Sequence, residues 1–534
     1  MKRREFLAKS GLVVSGLSLL SRFPGAARES GFFRGAPENN TEPRISFETS
    51  DSKYQTVYSR ALDVLAHNLA DVSGYSQPVL TEGGNYKGIW LECAPHEGLT
   101  YFGIRPDVAR NNHLAFFALQ REDGQIPCWI RTAEAGFGQI QMVVPIAATA
   151  WELAQQTGDS ELLERAYSSC SHWDVWLRRY RDTRHSGLCE GFCTWDTGHD
   201  SSPRWAGMPN RCPDADARKC PQVPSLPRLC PDLSATVYGG RVALAAMALG
   251  LGKTSEADRW LGDAEAIRSA ILNKLYLAND AAFYDLDAQS RFVRIRGDLI
   301  SRVLGEHVVD QRLFENIYQR QIHNPDAFWA PYPLPSIALD DPAFVRPIPR
   351  NSWAGASQAL TALRAPRWME HYGKPADLAH LMQQWIAAIL REGTFLQQMD
   401  PLEGVFTADL GDYSPAALVF MDFTWRLAGV RLVEDRLEWN LRPPAHSLRS
   451  SYRLRLSPTH SALLKYNSGY GELFLHGKFL CRTSNTIRLV TGLDGKIQRA
   501  VGIGRSKTNA LLHTSGGDRA FSIEPNRSVR LTPM

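Results

Sequence analysis

The 534-residue sequence has no strong excess of either charge, because 60 Lys and Arg stand against 56 Asp and Glu, for a net charge of +4. The charges are spread along the chain, so nothing in it indicates a nucleic-acid partner or an anionic membrane. Beyond the first twenty residues, the sequence also lacks an uninterrupted apolar run long enough to cross a bilayer. A hydrophobic content of 44% instead predicts a large buried core.

The nine cysteines lack the paired Cys-x-x-Cys spacing of zinc sites, so zinc is the less favoured alternative to disulfides and we expect no metal. We also expect no cofactor. Five of the cysteines fall in a proline-rich stretch from Cys189 to Cys230, which is typical of an excursion from a scaffold. In an exported protein such a loop can be oxidised, and we expect one or two disulfides there. The odd number of cysteines leaves at least one free thiol.

The first residues predict an export signal. The paired Arg3 and Arg4 precede a short apolar run over residues 11–20, and the small residues of 24–27 offer a cleavage point. We interpret residues 1–27 as a twin-arginine signal peptide and residues 28–54 as a linker. We therefore expect a periplasmic or secreted protein that uses the twin-arginine export machinery and has no membrane association after cleavage.

Helical periodicity dominates residues 55–430, and one apolar stripe of helical spacing starts after Asp159, a good N-cap. At roughly 30 residues for each helix and its loop, this region holds about twelve helices, enough for a closed (α/α)6 toroid. Residues 431–534 contain short alternating runs separated by turn pairs such as Asp494-Gly495. We expect a mainly α protein, in which the toroid is followed by a small C-terminal β-sandwich.

The segment from Trp195 to Trp205 combines two carboxylates, a histidine, an arginine and two tryptophans without apolar periodicity. Carboxylates supply acid chemistry at an acetal oxygen, indole faces stack on a pyranose, and arginine holds hydroxyl or carboxylate groups. The composition predicts a carbohydrate site, and the alternative is a polar loop between helices. The candidate site residues of this segment are Trp195, Asp196, His199, Asp200, Arg204 and Trp205.

Several motifs along residues 85–430 occur in one order. They are Trp90-Leu91-Glu92, the segments 120–127 and 139–145, Gly198 to Trp205, Asp232-Leu233-Ser234 and Arg350 to Gly355. Together they resemble the inverting glycosidases of the six-hairpin helical barrel: trehalases, processing oligosaccharide glucosidases and mannosylglycerate or glucosylglycerate hydrolases. The resemblance implies a carbohydrate substrate and makes Asp200 the general acid.

One position departs from that family. Its general base is a glutamate in a Tyr-Glu-x-Tyr-Asn-Pro-x-Thr-Gly segment, and the corresponding residue here is Gln397. A glutamine cannot deprotonate water. Another carboxylate, Glu92, Asp400 or Asp412, can serve instead; phosphate can replace water; or the reaction can be an elimination from a uronic acid. We favour a displaced base.

Outside the acid segment, we expect substrate contacts from Trp90, Gln125, Trp353, Gln397 and Tyr413. For Trp353 and Tyr413 the sequence does not separate stacking platforms from core aromatics. The predicted function is an exo-acting glycoside hydrolase that releases a terminal sugar from an oligosaccharide or small glycoside by inversion. The alternatives are a sugar-binding protein that has lost its chemistry and a polysaccharide lyase of the same architecture.

Replacing Arg3 and Arg4 together by lysine is expected to leave the protein in the cytoplasm with its leader attached, because export reads the arginine pair as an address. Cell fractionation and the mass of the N-terminal peptide measure this. Normal export of the doubly substituted chain would contradict the signal assignment.

Overall fold

The computed structural model describes residues 43–407, 411–444 and 447–531, so the predicted signal peptide lies outside the described residues. Within them the chain forms twelve α-helices, which confirms the expected number. These helices are α1 (Ser52–His67), α2 (Ala94–Tyr101), α3 (Pro106–Ala118), α4 (Ile146–Thr157), α5 (Ser160–Tyr180), α6 (Pro231–Gly250), α7 (Thr254–Lys274), α8 (Leu299–Gly305), α9 (Gln311–Ile317), α10 (Ala359–Met369), α11 (Pro375–Glu392) and α12 (Ser414–Ala428).

Helix α5 shows how the local sequence sets an element. Its N-cap is Asp159, whose carboxylate accepts a hydrogen bond of 2.9 Å from the backbone N–H of Leu162. Its apolar stripe is buried, and Trp173 stacks on Trp176 with ring centroids 5.0 Å apart. The predicted N-cap and stripe are therefore both present, and arginines in the last turn favourably oppose the negative end of the helix dipole.

The even-numbered helices contact one another in cyclic order, from α2 through α4, α6, α8 and α10 to α12 and back to α2. The odd-numbered helices add a second layer: α1 packs on α12, α3 on α2, α5 on α4, α7 on α6, and α11 on α10 and α12. Helix α6 is long and apolar enough to span a membrane by composition, but 78% of its most apolar window is buried inside the protein. It is thus placed as a core helix.

Short strands between the helices pair into small sheets. These sheets connect the loops that carry the side chains of the candidate site. The strands of this part of the chain are β2 (Leu69–Val72), β3 (Tyr75–Leu80), β4 (Gly88–Trp90), β5 (Trp129–Arg131), β6 (Ala135–Gly136), β7 (Glu190–Gly191), β8 (Arg228–Leu229), β9 (Tyr276–Leu277), β10 (Ala282–Phe283), β11 (Asp285–Leu286), β12 (Phe292–Val293), β13 (Ser357–Gln358) and β14 (Gln398–Met399). One small sheet joins β4, β5 and β6, another joins β7, β8, β11 and β12, and a third pairs β13 with β14.

The C-terminal region forms two antiparallel sheets, of order β1-β17-β18-β19-β20-β23-β24 and β15-β16-β21-β22-β25. Their strands are β1 (Ile45–Thr49), β15 (Val430–Val433), β16 (Arg436–Leu441), β17 (Ser450–Arg455), β18 (Ser461–Asn467), β19 (Tyr470–Leu475), β20 (Lys478–Thr483), β21 (Ile487–Gly492), β22 (Ile497–Val501), β23 (Thr508–Thr514), β24 (Gly517–Ile523) and β25 (Ser528–Arg530).

Strand β1 corrects the expected linker over residues 28–54. Residues 45–49 pair with β17 in antiparallel register, with Ile45 opposite Leu454, and helix α1 begins at Ser52. The pairing covers the edge of β17, which would otherwise be open to another strand. The N-terminal segment therefore belongs to the C-terminal sheet, a long-range contact that local sequence patterns do not reveal.

The cysteines also differ from expectation, because all nine are free thiols and eight of them are buried. Within the proline-rich stretch the sulfur atoms of Cys193 and Cys212 approach to 3.9 Å without a bond. The stretch is instead held by hydrogen bonds, among them one of 3.0 Å from the backbone N–H of Cys212 to the carbonyl of Gly138. Its attachment to the scaffold therefore does not require a disulfide.

A buried ion pair joins the helical and strand regions. Arg488 on β21 donates two hydrogen bonds of 2.7 Å to Glu370 at the end of α10, and a third to Asn440. Burial of Glu370 opposes its ionisation, but the charge and hydrogen bonds of Arg488, together with the charges of Arg431 and Arg426, outweigh burial and lower the pKa of Glu370 to about 2. The pair is thus charged and satisfied at neutral pH.

Glu370→Gln is expected to lower the free energy of unfolding by about 3 kcal/mol, because buried Arg488 and its neighbour Arg431 lose the anion that both contact and keep only Glu438, at 3.4 and 3.8 Å. Chemical denaturation measures the loss. The matched control is Glu315→Gln, which removes a 2.8 Å pair with Lys374 at a more exposed carboxylate and is expected to cost under about 1 kcal/mol.

The pair of Glu370 and Arg488 makes the free energy of unfolding depend on pH. Since the folded-state pKa of Glu370 lies below its ordinary value of 4.5, Glu370 contributes stability above pH 4.5, and this contribution is lost as the pH falls toward 2. Equal losses for Glu370→Gln and Glu315→Gln at pH 7, or a Glu370→Gln loss that persists unchanged at low pH, would contradict this role.

Candidate active site

Residues 194–205, here called the acid loop, are held in place by a buried ion pair at their start. The Asp196 carboxylate is fully buried and binds Arg181, with oxygen to nitrogen distances of 2.5 and 3.1 Å. It also accepts backbone hydrogen bonds from Ile140 at 2.8 Å and Phe192 at 2.7 Å. This corrects the expected substrate contact: Asp196 positions the loop, because neither of its oxygens is open to a ligand.

The end of the acid loop is anchored by Arg204, which is 3% exposed. Its guanidinium makes forked hydrogen bonds to Asp232, both 2.7 Å, and to Asp285, at 2.8 and 2.6 Å. A further hydrogen bond of 3.1 Å joins it to Nδ1 of His199. Arg204 was expected to hold substrate, but all of these partners lie inside the protein, so it is an anchor.

The side chains of His199 and Trp205 also hold the acid loop in place. His199 pairs through Nε2 with Asp298 at 2.7 Å, and burial, aided by the charge of Arg302, lowers its pKa to about 4. Trp205 is 2% exposed and donates from its indole N–H to Thr197 at 2.9 Å. Both residues were expected to contact sugar, but the side chains of both are buried and hydrogen-bonded inside the protein.

Asp200 and Trp195 are the predicted residues of the loop that remain partly exposed. Burial, with a smaller contribution from the Glu92 carboxylate, raises the pKa of Asp200 to about 7. Side-chain hydrogen bonds from Asn351 and Trp195 oppose that shift. The backbone carbonyl of Asp200 accepts from the N–H of Trp353 at 2.9 Å. Asp200 is therefore a positioned carboxyl group that holds its proton near neutral pH.

Glu92 lies directly behind the acid loop. Its Oε1 accepts from Gln141 at 3.3 Å, while its Oε2 is buried without a hydrogen-bond partner. Burial raises the pKa of Glu92, against the attraction of Arg364 and Arg302. Gly198 packs against this carboxylate so closely that an added Cβ would collide with Oε2, and its φ of +63° is left-handed. Only glycine meets both conditions there.

The opposite wall contains Gln397, which is half-buried. Its amide nitrogen donates to Asn351 at 3.0 Å, and its oxygen accepts from the hydroxyl of Tyr86 at 3.3 Å. Tyr86 meets Trp90 edge-on, with ring centroids 5.7 Å apart. Asn351 thus connects Gln397 to Asp200, so the structure brings the predicted acid and the substituted base position to one site.

Trp90 and Trp353 belong to one small aromatic cluster beside this wall. Trp90 is 7% and Trp353 3% exposed, so each is mostly packed among neighbours rather than open as a platform. The more accessible rings at the site are Trp195, Tyr86 and Trp129. Trp353 is therefore a core aromatic and not an open stacking platform, because its ring packs on that of His199 with centroids 5.0 Å apart.

Tyr413 leads to a carboxylate that the sequence analysis missed. The Tyr413 hydroxyl donates to Oε1 of Glu82 at 2.5 Å, and its ring lies 6.0 Å from that of Tyr86. Burial, with repulsion from Glu97 and Glu92, raises the pKa of Glu82 well above its usual range. The available signal was local: Glu82 follows the end of strand β3 by two residues and precedes Gly83-Gly84, the polar-after-strand pattern of many functional loops.

Three other predicted residues lie outside this group. Asp400 accepts from the backbone of Leu402 and Glu403 and binds Arg346 at 3.0 Å, so it stabilises a turn. Asp412 is 61% exposed at its side chain and has Arg60 as its nearest cation. Gln125 is fully buried and donates to a backbone carbonyl at 3.1 Å. The expected roles in catalysis or binding are corrected for Asp400 and Gln125.

Residues 86–425 match the family model of the mannosylglycerate hydrolase MGH1-like glycoside hydrolase domain. The chain belongs to this family. The match covers more than half of the sequence and includes Glu92, Asp200 and Gln397, although Glu82 lies just before it. The chain is thus a glycoside hydrolase, as the resemblance of its motifs implied. No curated protein matches the chain.

Solved structures show the same fold. A mannosylglycerate hydrolase of family GH63 from Thermus thermophilus, in complex with glucose, is 19% identical, with a TM-score of 0.56 over 69% of this chain and 100% of its own. Neutral trehalase from Saccharomyces cerevisiae is 12% identical, with a TM-score of 0.53 over 68% and 80%. An α-L-rhamnosidase from Dictyoglumus thermophilum is 12% identical, with a TM-score of 0.54 over 91% and 50%.

Gly198→Ala is expected to lower kcat/KM by about 10²-fold, because the new methyl group collides with Glu92 and displaces the loop that carries Asp200. Its matched control is Gly207→Ala, whose φ of +75° is equally left-handed but whose added Cβ would meet nothing within 4 Å. The control is expected to lose about 1 kcal/mol of stability and little activity. Equal activity losses in both variants would show that backbone strain, and not contact with Glu92, decides the effect.

Proposed function

We propose that the protein releases a terminal sugar from an oligosaccharide or small glycoside, with Asp200 as the general acid and inversion at the anomeric carbon. The observation that carries this proposal is the state of Asp200, a partly exposed carboxyl group on an anchored loop with a pKa raised to about 7. A general acid needs its proton at working pH and a fixed position beside the leaving oxygen. The raised pKa of Asp200 and its place on an anchored loop support this role.

The mechanism follows from the position of the charges. Asp200 donates its proton to the glycosidic oxygen as the bond to the anomeric carbon breaks, and a base on the other face of the sugar removes a proton from the attacking water. Inverting enzymes place the two carboxyl groups roughly 6.5–9.5 Å apart so that water fits between the sugar and the base. Asn351 and Gln397, which connect to Asp200, are suited to hold sugar hydroxyls or this water.

Aromatic side chains support a saccharide ligand at this site. Trp195, Tyr86 and Trp129 are partly exposed near Asp200 and Trp90, and aromatic faces stack on the apolar side of a pyranose. The site is built from loops distributed over residues 82–413, which suits a pocket for one end of a chain. The related structures include enzymes named for mannosylglycerate and trehalose, so small glycosides are the first substrates to test.

The architecture that we infer is an (α/α)6 toroid with a β-sandwich packed on it. The cyclic contacts of the even-numbered helices support the toroid, and the two antiparallel sheets support the sandwich. We assign residues 55–430 to the toroid and residues 431–534 to the sandwich, with β1 added to the latter. The twin-arginine signal and a periplasmic or secreted location are part of the same proposal and rest on the sequence of residues 1–27.

Asp200→Asn is expected to lower kcat on an unactivated glycoside by about 10²–10⁴-fold, because the amide has no proton to give. Mannosylglycerate, trehalose and a panel of alkyl glycosides provide the unactivated probes. The corresponding glycosyl fluorides need no proton at the leaving group, so the variant is expected to keep most of its activity on them. For the wild type, kcat/KM on unactivated probes is expected to fall as the pH rises through about 7, where Asp200 loses its proton.

The fluoride comparison separates loss of acid catalysis from loss of folding or binding. Full activity of Asp200→Asn on an unactivated glycoside would remove Asp200 from the mechanism. A wild-type enzyme that cleaves neither unactivated glycosides nor glycosyl fluorides would contradict the proposed reaction itself.

A further inference from the structure

The sequence has a glutamine where related enzymes carry the general base, and a carboxylate from another part of the chain lies beside that glutamine. We propose that Glu82 is the general base, acting from the turn after β3 in place of the residue at position 397. This inference rests on the proposed glycoside hydrolysis and adds to it the group that activates water. It assigns a role to a residue that no motif in the sequence singled out.

The position of Glu82 is set by the turn over residues 82–86. Gly83 forms backbone bridges to both Tyr86 and Tyr413, which draws the turn against the segment before α12. The hydroxyl of Tyr86, at the end of the turn, reaches Oε1 of Gln397 at 3.3 Å. The turn that begins with Glu82 therefore lies at the place where the side chain of residue 397 projects into the site.

One carboxylate oxygen of Glu82 is oriented and the other is free. Oε1 accepts the 2.5 Å hydrogen bond from Tyr413, and Oε2 has no hydrogen-bond partner among the described residues. Glu82 is 5% exposed, and its Oε2 is not among the buried, unpartnered atoms that include Oε2 of Glu92. Oε2 thus meets solvent at a small opening, as required of an atom that takes a proton from water.

The competing carboxylates lack this combination. Both oxygens of Glu97 and Oε2 of Glu92 are shut off from solvent, and Oε1 of Glu92 is held by Gln141. Asp400 is committed to Arg346 and to two backbone N–H groups. Asp412 points to the exposed surface near Arg60. Among the described residues that we weighed as base, Glu82 alone is both buried beside Asp200 and open at one oxygen.

The chemistry balances with these two groups alone. The oxygen of water forms a bond to the anomeric carbon, and its proton passes to Oε2 of Glu82. The bond from that carbon to the leaving oxygen breaks with its electron pair, and Asp200 supplies the proton to that oxygen. Glu82 and Asp200 react in the form that carries one proton between them, with the proton on Asp200 and with Glu82 ionised. Repulsion from Asp200 is absent in that form, and burial makes the ionised Glu82 a stronger base than an exposed carboxylate. The Tyr413 hydroxyl favours the ionised form of Glu82.

The test compares Glu82→Gln and Glu82→Ala with Asp200→Asn on the probes that the wild type cleaves. A base is needed whatever the leaving group, so both Glu82 variants are expected to lose about 10²–10⁴-fold in kcat on unactivated glycosides and on glycosyl fluorides alike. Asp200→Asn is expected to lose activity on the unactivated glycosides only. Sodium azide, a nucleophile that needs no base, is expected to restore Glu82→Ala and to yield a glycosyl azide of inverted configuration.

The matched control is Asp412→Asn. Asp412 is an exposed carboxylate directly before Tyr413 in the chain, and the variant is expected to keep wild-type kcat. Melting temperatures report whether the isosteric Glu82→Gln variant is folded. Retention of more than a tenth of wild-type kcat by Glu82→Gln would overturn the inference while leaving the hydrolase proposal intact. A folded but inactive Glu82→Ala that azide does not restore would equally overturn it, since the residue would then only position Tyr413. A wild type inactive on every probe would overturn both proposals.

Discussion

The structure of the site depends on a buried guanidinium. Arg204 is nearly inaccessible to solvent, and a charge in that position is costly unless every donor finds an acceptor. Asp232 at the start of α6 and Asp285 on β11 supply those acceptors. The acid loop is thereby fixed to two elements that lie far apart in the chain. The neighbouring pair of His199 and Asp298 adds a third attachment, at the start of α8.

The pairing of charges explains why the buried carboxylates have two different roles. Although burial alone would raise them, the pKa values of Asp232 and Asp298 are lowered, chiefly by the charges of Arg204 and Arg302 respectively, so both remain ionised supports. Burial and repulsion from neighbouring carboxylates raise the pKa values of Glu82 and Asp200. Burial of Glu92 exceeds the attraction of Arg364 and Arg302, so its pKa also rises. Buried carboxylates that are paired with a cation therefore stay ionised and support the structure. Buried carboxylates without a dominant cation have raised pKa values and are suited to proton transfer.

Position 397 carries a glutamine and not a carboxylate. Gln397 contacts Asn351 and Tyr86, and Asn351 in turn lies close enough to Asp200 to oppose the rise of its pKa, so Asn351 links Asp200 to position 397. A glutamine can orient water or a hydroxyl but cannot take a proton. With Glu82 on the adjoining turn, orientation and proton transfer are divided between two residues in this protein.

The sequence by itself determined the features that rest on local patterns. Helical periodicity and capping residues such as Asp159 predicted the number of helices, the change to alternating residues after position 430 predicted strands, and the motif around Asp200 predicted the family. These signals are short-range, because the periods of helices and strands and the geometry of caps involve residues within a few positions of each other.

Only the tertiary structure decided which polar residues face the site. Asp196, His199, Arg204 and Trp205 share the composition of a sugar site with Asp200, but partners from distant segments bury them as supports. Conversely, the local pattern around Glu82 marks only a polar residue after a strand, and its contact with Tyr413, more than 300 positions away along the chain, places it at the site. Burial and charge pairing are sums over such long-range contacts, and no local pattern of residue types contains them.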